Sequence, residues 1–158
     1  MSFLHFILNL TLIFCASVGF AMAVQAPNRS LLITGTIGAV SYIPNIIAAT
    51  LADDLYYGIV FGVASVTTLC FFAARMYHIP AFILLVPGLV PYFPGQKMYQ
   101  MIMSLFQQDV DQFIENTSGF VETSLCIYGS MLIVNLALPF IVSFFKKIKQ
   151  KQAKNIAD

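Results

Sequence analysis

Hydrophobic residues occur along the chain in long continuous blocks rather than at amphipathic spacing. Five blocks, separated by short polar segments, cover residues 3–24, 31–50, 55–74, 79–95 and 120–145. A helix of about 20 apolar residues crosses the ~30 Å hydrocarbon layer of a bilayer. The pattern therefore predicts an all-α, polytopic integral membrane protein with about five transmembrane helices. Residues 1–158 are expected to form one transmembrane domain in a lipid bilayer.

The fourth block differs from the others because helix-breaking residues interrupt it. Residues 79–99 contain four of the seven prolines and two of the nine glycines. Proline lacks a backbone donor and clashes with the preceding turn, so Pro87, Pro91 and Pro94 cannot all lie inside one regular α-helix. Backbone groups freed in lipid need partners in protein or in a water-lined cavity, and broken spans bind substrates in many transporters. We therefore expect an interrupted fourth span with a binding site beside it.

Residues 96–117 follow a different pattern. Apolar side chains recur there at helical spacing, at Met98, Ile102, Phe106, Val110 and Phe113. Polar side chains occupy the opposite face, which predicts an amphipathic helix. The membrane interface is its default location, and the wall of an aqueous vestibule or the surface of a partner are the alternatives.

Charged residues between the blocks predict the orientation. The basic tail at residues 146–158 is of the kind that stays in the cytoplasm. Five crossings then place the N-terminus outside, the turns with Arg29 and Arg75 inside, and the Asp53-Asp54 loop outside. The first block lacks a positive n-region, so we expect it to be a retained span rather than a cleaved signal. These features favour a multi-pass membrane protein whose C-terminus lies in the cytoplasm.

Composition excludes several classes of function. Apolar residues make up 59% and charged residues 9% of the chain, against about 25% charged residues in ordinary globular domains. No basic patch lies outside the tail, so no nucleic-acid binding is expected. The three cysteines fall in different blocks and the two histidines on opposite sides, without metal-ligand spacing. No catalytic constellation is recognisable, so we expect neither an enzyme nor a bound cofactor or metal.

Ionisable residues are absent from the middle of every block. Glu122 comes closest, about one turn inside a boundary. Charges inside transporter cores usually mark ion or proton pathways. Either a partner supplies the missing charge to a binding site in this chain, or the protein is a non-transporting membrane scaffold. Five spans without an internal repeat also favour a partner or a homo-oligomer.

Several segments resemble the threonine/serine exporter family. They are Val18-Gly-Phe-Ala-Met22, Pro27-Asn-Arg29, His78-Ile-Pro80 and Val86-Pro-Gly-Leu-Val-Pro-Tyr-Phe-Pro-Gly95, followed by Tyr99. The resemblance is to the smaller, C-terminal-type half of the family, which occurs fused or as a separate subunit. It implies an exporter of small metabolites in the inner membrane, working with a larger subunit of the same family. Fused members are linked to proton-driven efflux of threonine and serine, and split members to export of small dicarboxylates.

The matching motif also implies a set of site residues, Pro87, Gly88, Pro91, Pro94, Gly95, Lys97 and Tyr99. The prolines and glycines would shape the site, Tyr99 would supply a hydroxyl, and Lys97 a cation for a carboxylate. Lys97 is equally explained as a lysine that extends from the interface toward water.

Overall fold

A computed structural model describes the backbone of residues 3–157 and the side chains of residues 4–144. Its helices are α1 (Phe3–Ala23), α2 (Asn28–Ala52), α3 (Leu55–Tyr77), α4 (Ala81–Gly88), α5 (Gly95–Phe106) and α6 (Val110–Ala157), with a 3₁₀ turn at Val90–Tyr92. The described residues contain no strand. Four helices are long and apolar enough to cross a membrane, namely α1, α2, α3 and the part of α6 from Val110 to Phe144. The predicted class is confirmed, whereas the count of five crossings stays a prediction.

The first three helices pack in sequence as antiparallel neighbours. Glycines allow close approach between them, since a Cβ built on Gly35 would meet Val18 and Phe14, and one on Gly58 would meet Ala49. Between α2 and α3 the chain turns at Asp53, which has a φ of 53°. Asp54 then caps α3 by accepting a 2.9 Å hydrogen bond from the Tyr56 backbone N–H. The turn is thus built from two acidic residues.

Helix α6 packs along α3, and α1 is not packed against α6 in the described part of the chain. The four long helices therefore form an open arc, with α4 inside it. Leu84, Pro87 and Gly88 of α4 are buried. A Cβ built on Gly88 would lie 3.1 Å from Val66 Cγ1, so this glycine lets α4 approach α3 closely.

The interrupted segment runs from one end of the arc toward the other. At its start, Phe82 and Ile83 share a cavity with Pro27 of the α1–α2 turn. Beyond the 3₁₀ turn, Lys97 shares a cavity with Leu55, which opens α3 at the opposite end. The apolar helix from Ala81 to Tyr92 is only about 18 Å long at 1.5 Å per residue, shorter than the ~30 Å hydrocarbon layer.

Helices α5 and α6 form a hairpin that differs from the predicted amphipathic helix at 96–117. The helix ends at Phe106, because Gln108 adopts a left-handed φ of 57°. Asp109 then accepts a 3.0 Å hydrogen bond from the Gln112 N–H and caps α6. The sequence predicts that the amphipathic helix ends at residue 117 and that the last span begins at residue 120. In the structure α6 instead continues unbroken through Gly119.

The polar face of α5 is the face that packs on α6. Ser104 is buried, and its hydroxyl donates to the Gln100 carbonyl within the helix. Ile102, Leu105 and Phe106 are exposed. An apolar outer face is suited to contact with lipid or with another membrane protein.

Candidate functional site

A cavity of about 520 Å³ lies where the interrupted segment ends, and we call it the polar cavity. Its lining residues come from α1, α2, α3, α5, α6 and the segment between α4 and α5: Ile13, Tyr42, Asn45, Leu55, Ile59, Pro91, Tyr92, Phe93, Pro94, Gln96, Lys97, Gln100 and Thr123. Helices distant in sequence thus contribute polar groups to one space. Such convergence of a few polar side chains in a mainly apolar pocket is typical of binding sites for small molecules.

The prolines make the break compatible with an apolar surrounding. The remaining backbone N–H groups of this segment donate to nearby carbonyls: Leu89 to Leu85 (3.0 Å), Tyr92 to Leu89 (2.9 Å), Phe93 to Val90 (3.2 Å) and Gly95 to Phe93 (2.8 Å). Pro91 and Pro94 have no N–H that would need an acceptor. A chain that must leave the helical conformation at membrane depth therefore does so with few unpaired donors.

Tyr92 closes the inner end of the polar cavity. Its side chain is buried, and a Cβ built on Gly62 would lie 2.6 Å from its hydroxyl oxygen, so only glycine leaves room for the ring. The Tyr92 hydroxyl donates a 2.9 Å hydrogen bond to Ser41 Oγ. Ser41 in turn donates to the Gly38 carbonyl at 2.7 Å. The tip of the interrupted segment is thereby fastened to α2.

Lys97 is the one charged side chain among the described lining residues. It extends along α6, where a Cβ built on Gly119 would lie 3.1 Å from Nζ. Gln100 and Thr123 line the cavity beside it. The ammonium group therefore adjoins neutral hydrogen-bonding side chains, an arrangement that suits a carboxylate-bearing ligand.

Further polar groups surround the cavity. Asn9 Nδ2 donates a 3.0 Å hydrogen bond to the Tyr42 hydroxyl, which joins α1 to α2. Tyr56, at the start of α3, donates a 2.9 Å hydrogen bond to Glu122 Oε2, about three turns into α6. Glu122, the acidic residue that the sequence places deepest, therefore lies near the cavity but is not one of its lining residues.

The residues singled out from the sequence fall in different places. Pro91, Pro94 and Lys97 line the polar cavity. Pro87 and Gly88 lie in the helix core, where Pro87 borders the cavity at the opposite end.

The other two predicted site residues, Gly95 and Tyr99, also belong to α5. Gly95 begins α5 beside an apolar cleft. Tyr99 is 62% exposed on the outer face of α5. The seven residues therefore do not converge on one point within the described chain.

Sequence reasoning missed several lining residues that can form hydrogen bonds, namely Tyr42, Asn45, Tyr92, Gln100 and Thr123. A signal for two of them was present. Tyr42 and Asn45 are uncharged polar residues inside an apolar block, and their spacing of three places them on one side of a helix. In a membrane span such residues usually face protein or a cavity.

An apolar cleft of about 630 Å³ opens between α1 and α6, on the side of the interrupted segment that no helix covers. It is lined by Phe20, Val86, Leu89, Val90, Phe93, Gly95 and Ile127. Asn135 is exposed on α6, eight residues beyond Ile127 and therefore within a quarter turn of the same stripe. Asn135 is thus an exposed amide in the middle of an apolar helix, about 12 Å along α6 from the cleft residue Ile127.

The arrangement defines a polytopic, all-α membrane protein in which an interrupted helix ends in a polar cavity. A family model described as "Threonine/Serine exporter, ThrE" matches residues 9–137, a range that includes the whole interrupted segment and every lining residue of the cavity. The chain belongs to this family, so the resemblance to the family is confirmed, whereas its assignment to the smaller, C-terminal-type half stays a prediction. It is thus a membrane component of the exporter class. Searches of curated proteins and of solved structures gave no match.

Proposed function

We propose that this chain is the smaller membrane subunit of a two-component exporter of small metabolites. Its substrates are amino acids of the threonine/serine type or small dicarboxylates, and the proton gradient drives their efflux. The observation that carries the proposal is Lys97, which stands in a polar cavity at the end of an interrupted helix in a chain of the exporter family. In this proposal the protein lies in the inner membrane with the Arg29 and Arg75 turns, and the C-terminus, in the cytoplasm.

The carboxylate is the chemical group that the two substrate classes share. In the proposal Lys97 binds it, assisted by the N-terminus of α5, where free N–H groups and the helix dipole favour an anion. Asn45, Tyr42 and Gln100 offer hydrogen bonds to the rest of the substrate. This assignment explains why a lysine, rather than a neutral residue, adjoins the cavity.

The other proposed site residues shape the cavity or act at its border. Pro91 and Pro94 form its wall, and Pro87 and Gly88 hold α4 in the helix core. Gly95 begins the helix that carries Lys97. Tyr99 lies on the outer face of α5, so its hydroxyl reaches a substrate only together with groups of a partner subunit.

Two features support a protein partner. The segment from Leu89 to Gly95 has irregular backbone and borders the open cleft, and irregular backbone at membrane depth is normally covered by protein rather than lipid. Asn135 presents an exposed amide on the helix that contributes Ile127 to the cleft, and amides in spans commonly form hydrogen bonds across helices. The larger subunit of the same family is the proposed occupant, and it would also supply the charged pathway that proton coupling requires.

Efflux measurements test the proposal. Cells that lack the chain, with the larger subunit intact, are loaded with threonine, serine or succinate and compared with cells carrying wild-type chain, Lys97→Gln or Lys97→Arg. We expect Lys97→Gln to lower efflux about tenfold to a hundredfold, since a charge-assisted hydrogen bond contributes about 1.5–3 kcal/mol. Lys97→Arg keeps the charge and should keep more of the flux. Unchanged efflux after removal of the chain would refute the proposal.

A non-transporting scaffold is the second candidate, favoured by the close glycine contacts between helices and the open cleft. Purification of the complex in a mild detergent separates the two functions and reveals any homo-oligomer. A transport subunit with Lys97→Gln should copurify normally with its partner yet lose flux. A scaffold with the same substitution should retain both.

A further inference from the structure

The polar cavity has a counterpart at the other end of the chain's fold. This second cavity, of about 370 Å³, is lined by residues 24–27 of the α1–α2 turn together with Phe82, Ile83, Val86 and Pro87. Between the two lie buried side chains of α1, α2 and the interrupted segment. A path for a polar solute through the chain would have to connect these two cavities, so the groups between them are of interest.

One side of α2 carries small polar residues along its length. Ser30, Thr34, Gly38, Ser41 and Asn45 recur every three or four residues, which places them on one face. Ser30, Thr34 and Ser41 are fully buried. Asn45 lines the polar cavity, and Ser30 donates a 2.7 Å hydrogen bond to the carbonyl of Pro27, which lines the second cavity. This polar face of α2 therefore extends from one cavity to the other.

Ser17 of α1 faces the middle of this stripe and has an unusual environment. Its side chain is fully buried, and among the described residues its hydroxyl has no hydrogen-bond partner. It adjoins Gly38, because a Cβ built on Gly38 would collide with the Ser17 hydroxyl oxygen. Buried hydroxyls in native proteins are nearly always paired, so the Ser17 hydroxyl is available to a water molecule or to another polar group.

Tyr92 lines the polar cavity and is bonded to Ser41, so it lies between the cavity and the polar face of α2. Its ring rests on Gly62, and its hydroxyl is bonded to Ser41, whose own hydroxyl reaches the Gly38 carbonyl next to Ser17. A single side-chain hydrogen bond thus joins the ring to the polar face of α2. Displacement of the ring would connect the cavity to the hydroxyl groups below it.

We propose that Tyr92 is the gate between the polar cavity and a path along the polar face of α2, and that Ser17 is the first group to bind water or the substrate's polar atoms when the gate opens. The inference rests on the proposed transport function. In the closed state the hydroxyls of Ser41 and Thr34 donate to backbone carbonyls of α2, and that of Ser30 donates to the carbonyl of Pro27 just before it. Each hydroxyl can rotate to bind a passing solute, because the carbonyl that it leaves keeps its backbone hydrogen bond. The hydroxyls along the path are therefore hydrogen-bonded when no solute is present.

Thiol labelling tests the gate without requiring transport. Ser17→Cys is introduced after Cys15, Cys70 and Cys126 are replaced by alanine, and the full chain with its native partners is solubilised in mild detergent. A positively charged methanethiosulfonate is the probe. We expect slow labelling of the Ser17→Cys protein with Tyr92 present, and a rate about tenfold higher or more with Tyr92→Ala, which removes both the ring and its hydrogen bond. Tyr92→Phe keeps the ring and should give an intermediate rise of about fivefold, the equivalent of one neutral hydrogen bond.

Three controls make the result decisive. Gln100→Cys, at the cavity wall, should react readily in every variant. Leu84→Ala removes another fully buried side chain from the interrupted segment and should not expose Ser17→Cys. Gly62→Ala displaces the Tyr92 ring by its added methyl group and should raise labelling even if Tyr92→Ala folds poorly.

The gate is refuted if Ser17→Cys reacts equally fast with and without Tyr92, or if Leu84→Ala exposes it as much as Tyr92→Ala does. It is also refuted if neither Tyr92→Ala nor Gly62→Ala increases labelling while Gln100→Cys reacts. Failure of the transport proposal is a separate result, because Lys97→Gln would then leave efflux unchanged whatever the labelling pattern.

Discussion

Helices α4 and α5 flank the same break in the chain, yet they pack in opposite ways. Helix α4 buries Leu84 and Gly88 in the apolar core, whereas α5 buries Ser104 and exposes Ile102 and Phe106. The first half of the interrupted segment therefore holds the helices together. The second half turns polar groups toward the cavity and leaves its apolar face to lipid or a partner. The break is the point at which an element that packs in the core is followed by one that carries the proposed binding residue Lys97.

The largest effect on the yield of folded protein is expected in α4, the half of the interrupted segment that packs in the core. Gly88→Leu has no room, since its Cβ alone would lie 3.1 Å from Val66 Cγ1, and overpacking of this kind costs about 1–3 kcal/mol or more. We expect little folded protein when its yield is measured by size-exclusion chromatography in detergent. Gly95→Ala is the matched control, because the nearest atom to its Cβ is Phe93 Cδ1 at 3.8 Å. Equal yields would show that α4 does not depend on close packing.

A smaller effect, on efflux rather than on folding, is expected at the contact between α5 and α6. Gly119→Leu would occupy the space along which Lys97 extends, and we expect efflux to fall about tenfold although the lysine is retained, since its charge-assisted hydrogen bond to the carboxylate is lost. Gly119→Ala adds one methyl group against the flexible end of the lysine and should reduce efflux only slightly. If both variants match wild type in efflux at equal protein level, transport does not depend on the space that Gly119 leaves for Lys97.

The inverted packing of α5 is tested by exchanging polarity on its two faces. Ser104→Leu places bulk on the buried face and should lower the free energy of unfolding by about 1–3 kcal/mol, as overpacking does. Ile102→Ser changes the exposed face and should leave it within about 0.5 kcal/mol in the isolated chain. Thermal unfolding in detergent measures both. The reverse order would mean that the apolar face of α5 packs on α6.

The smallest effect is expected from Tyr99→Phe. The hydroxyl is on the exposed outer face of α5, so its loss should change efflux by less than about threefold, less than a hydrogen bond to a charged substrate provides. A loss as large as that of Lys97→Gln would place Tyr99 in the substrate site and require a different position of α5.

The sequence predicts the elements of the fold better than their contacts. Long apolar blocks and clustered prolines indicate the membrane class and the interrupted helix, because both follow from local composition. Helical periodicity likewise predicts an amphipathic helix over residues 96–117, the first half of which corresponds to α5. Periodicity does not indicate which face packs inward, however, and that choice depends on the polar cavity, whose lining comes from six separate parts of the chain.

Local signals also failed at the α5–α6 turn. Residues 107–109 contain no glycine or proline, yet Gln108 adopts a left-handed conformation there. Ser118-Gly119, by contrast, resembles a turn in sequence but lies within a continuous helix, where the missing side chain leaves space for Lys97. In both places a tertiary contact or a helix cap, rather than local propensity, determines the backbone.

The length of α6 has a consequence for the surrounding bilayer. Glu122 is level with Tyr56 at the start of α3, so the twelve residues of α6 that precede Glu122 project about 18 Å beyond the end of α3. The apolar outer face of α5 lies on this projection. The projecting part of α6 carries Asp111 and Glu115 as well as the exposed apolar side chains of Val110 and Ile114. A projection with both kinds of side chain suits the headgroup region of a bilayer, where the apolar outer face of α5 can meet the hydrocarbon boundary while the carboxylates stay in water.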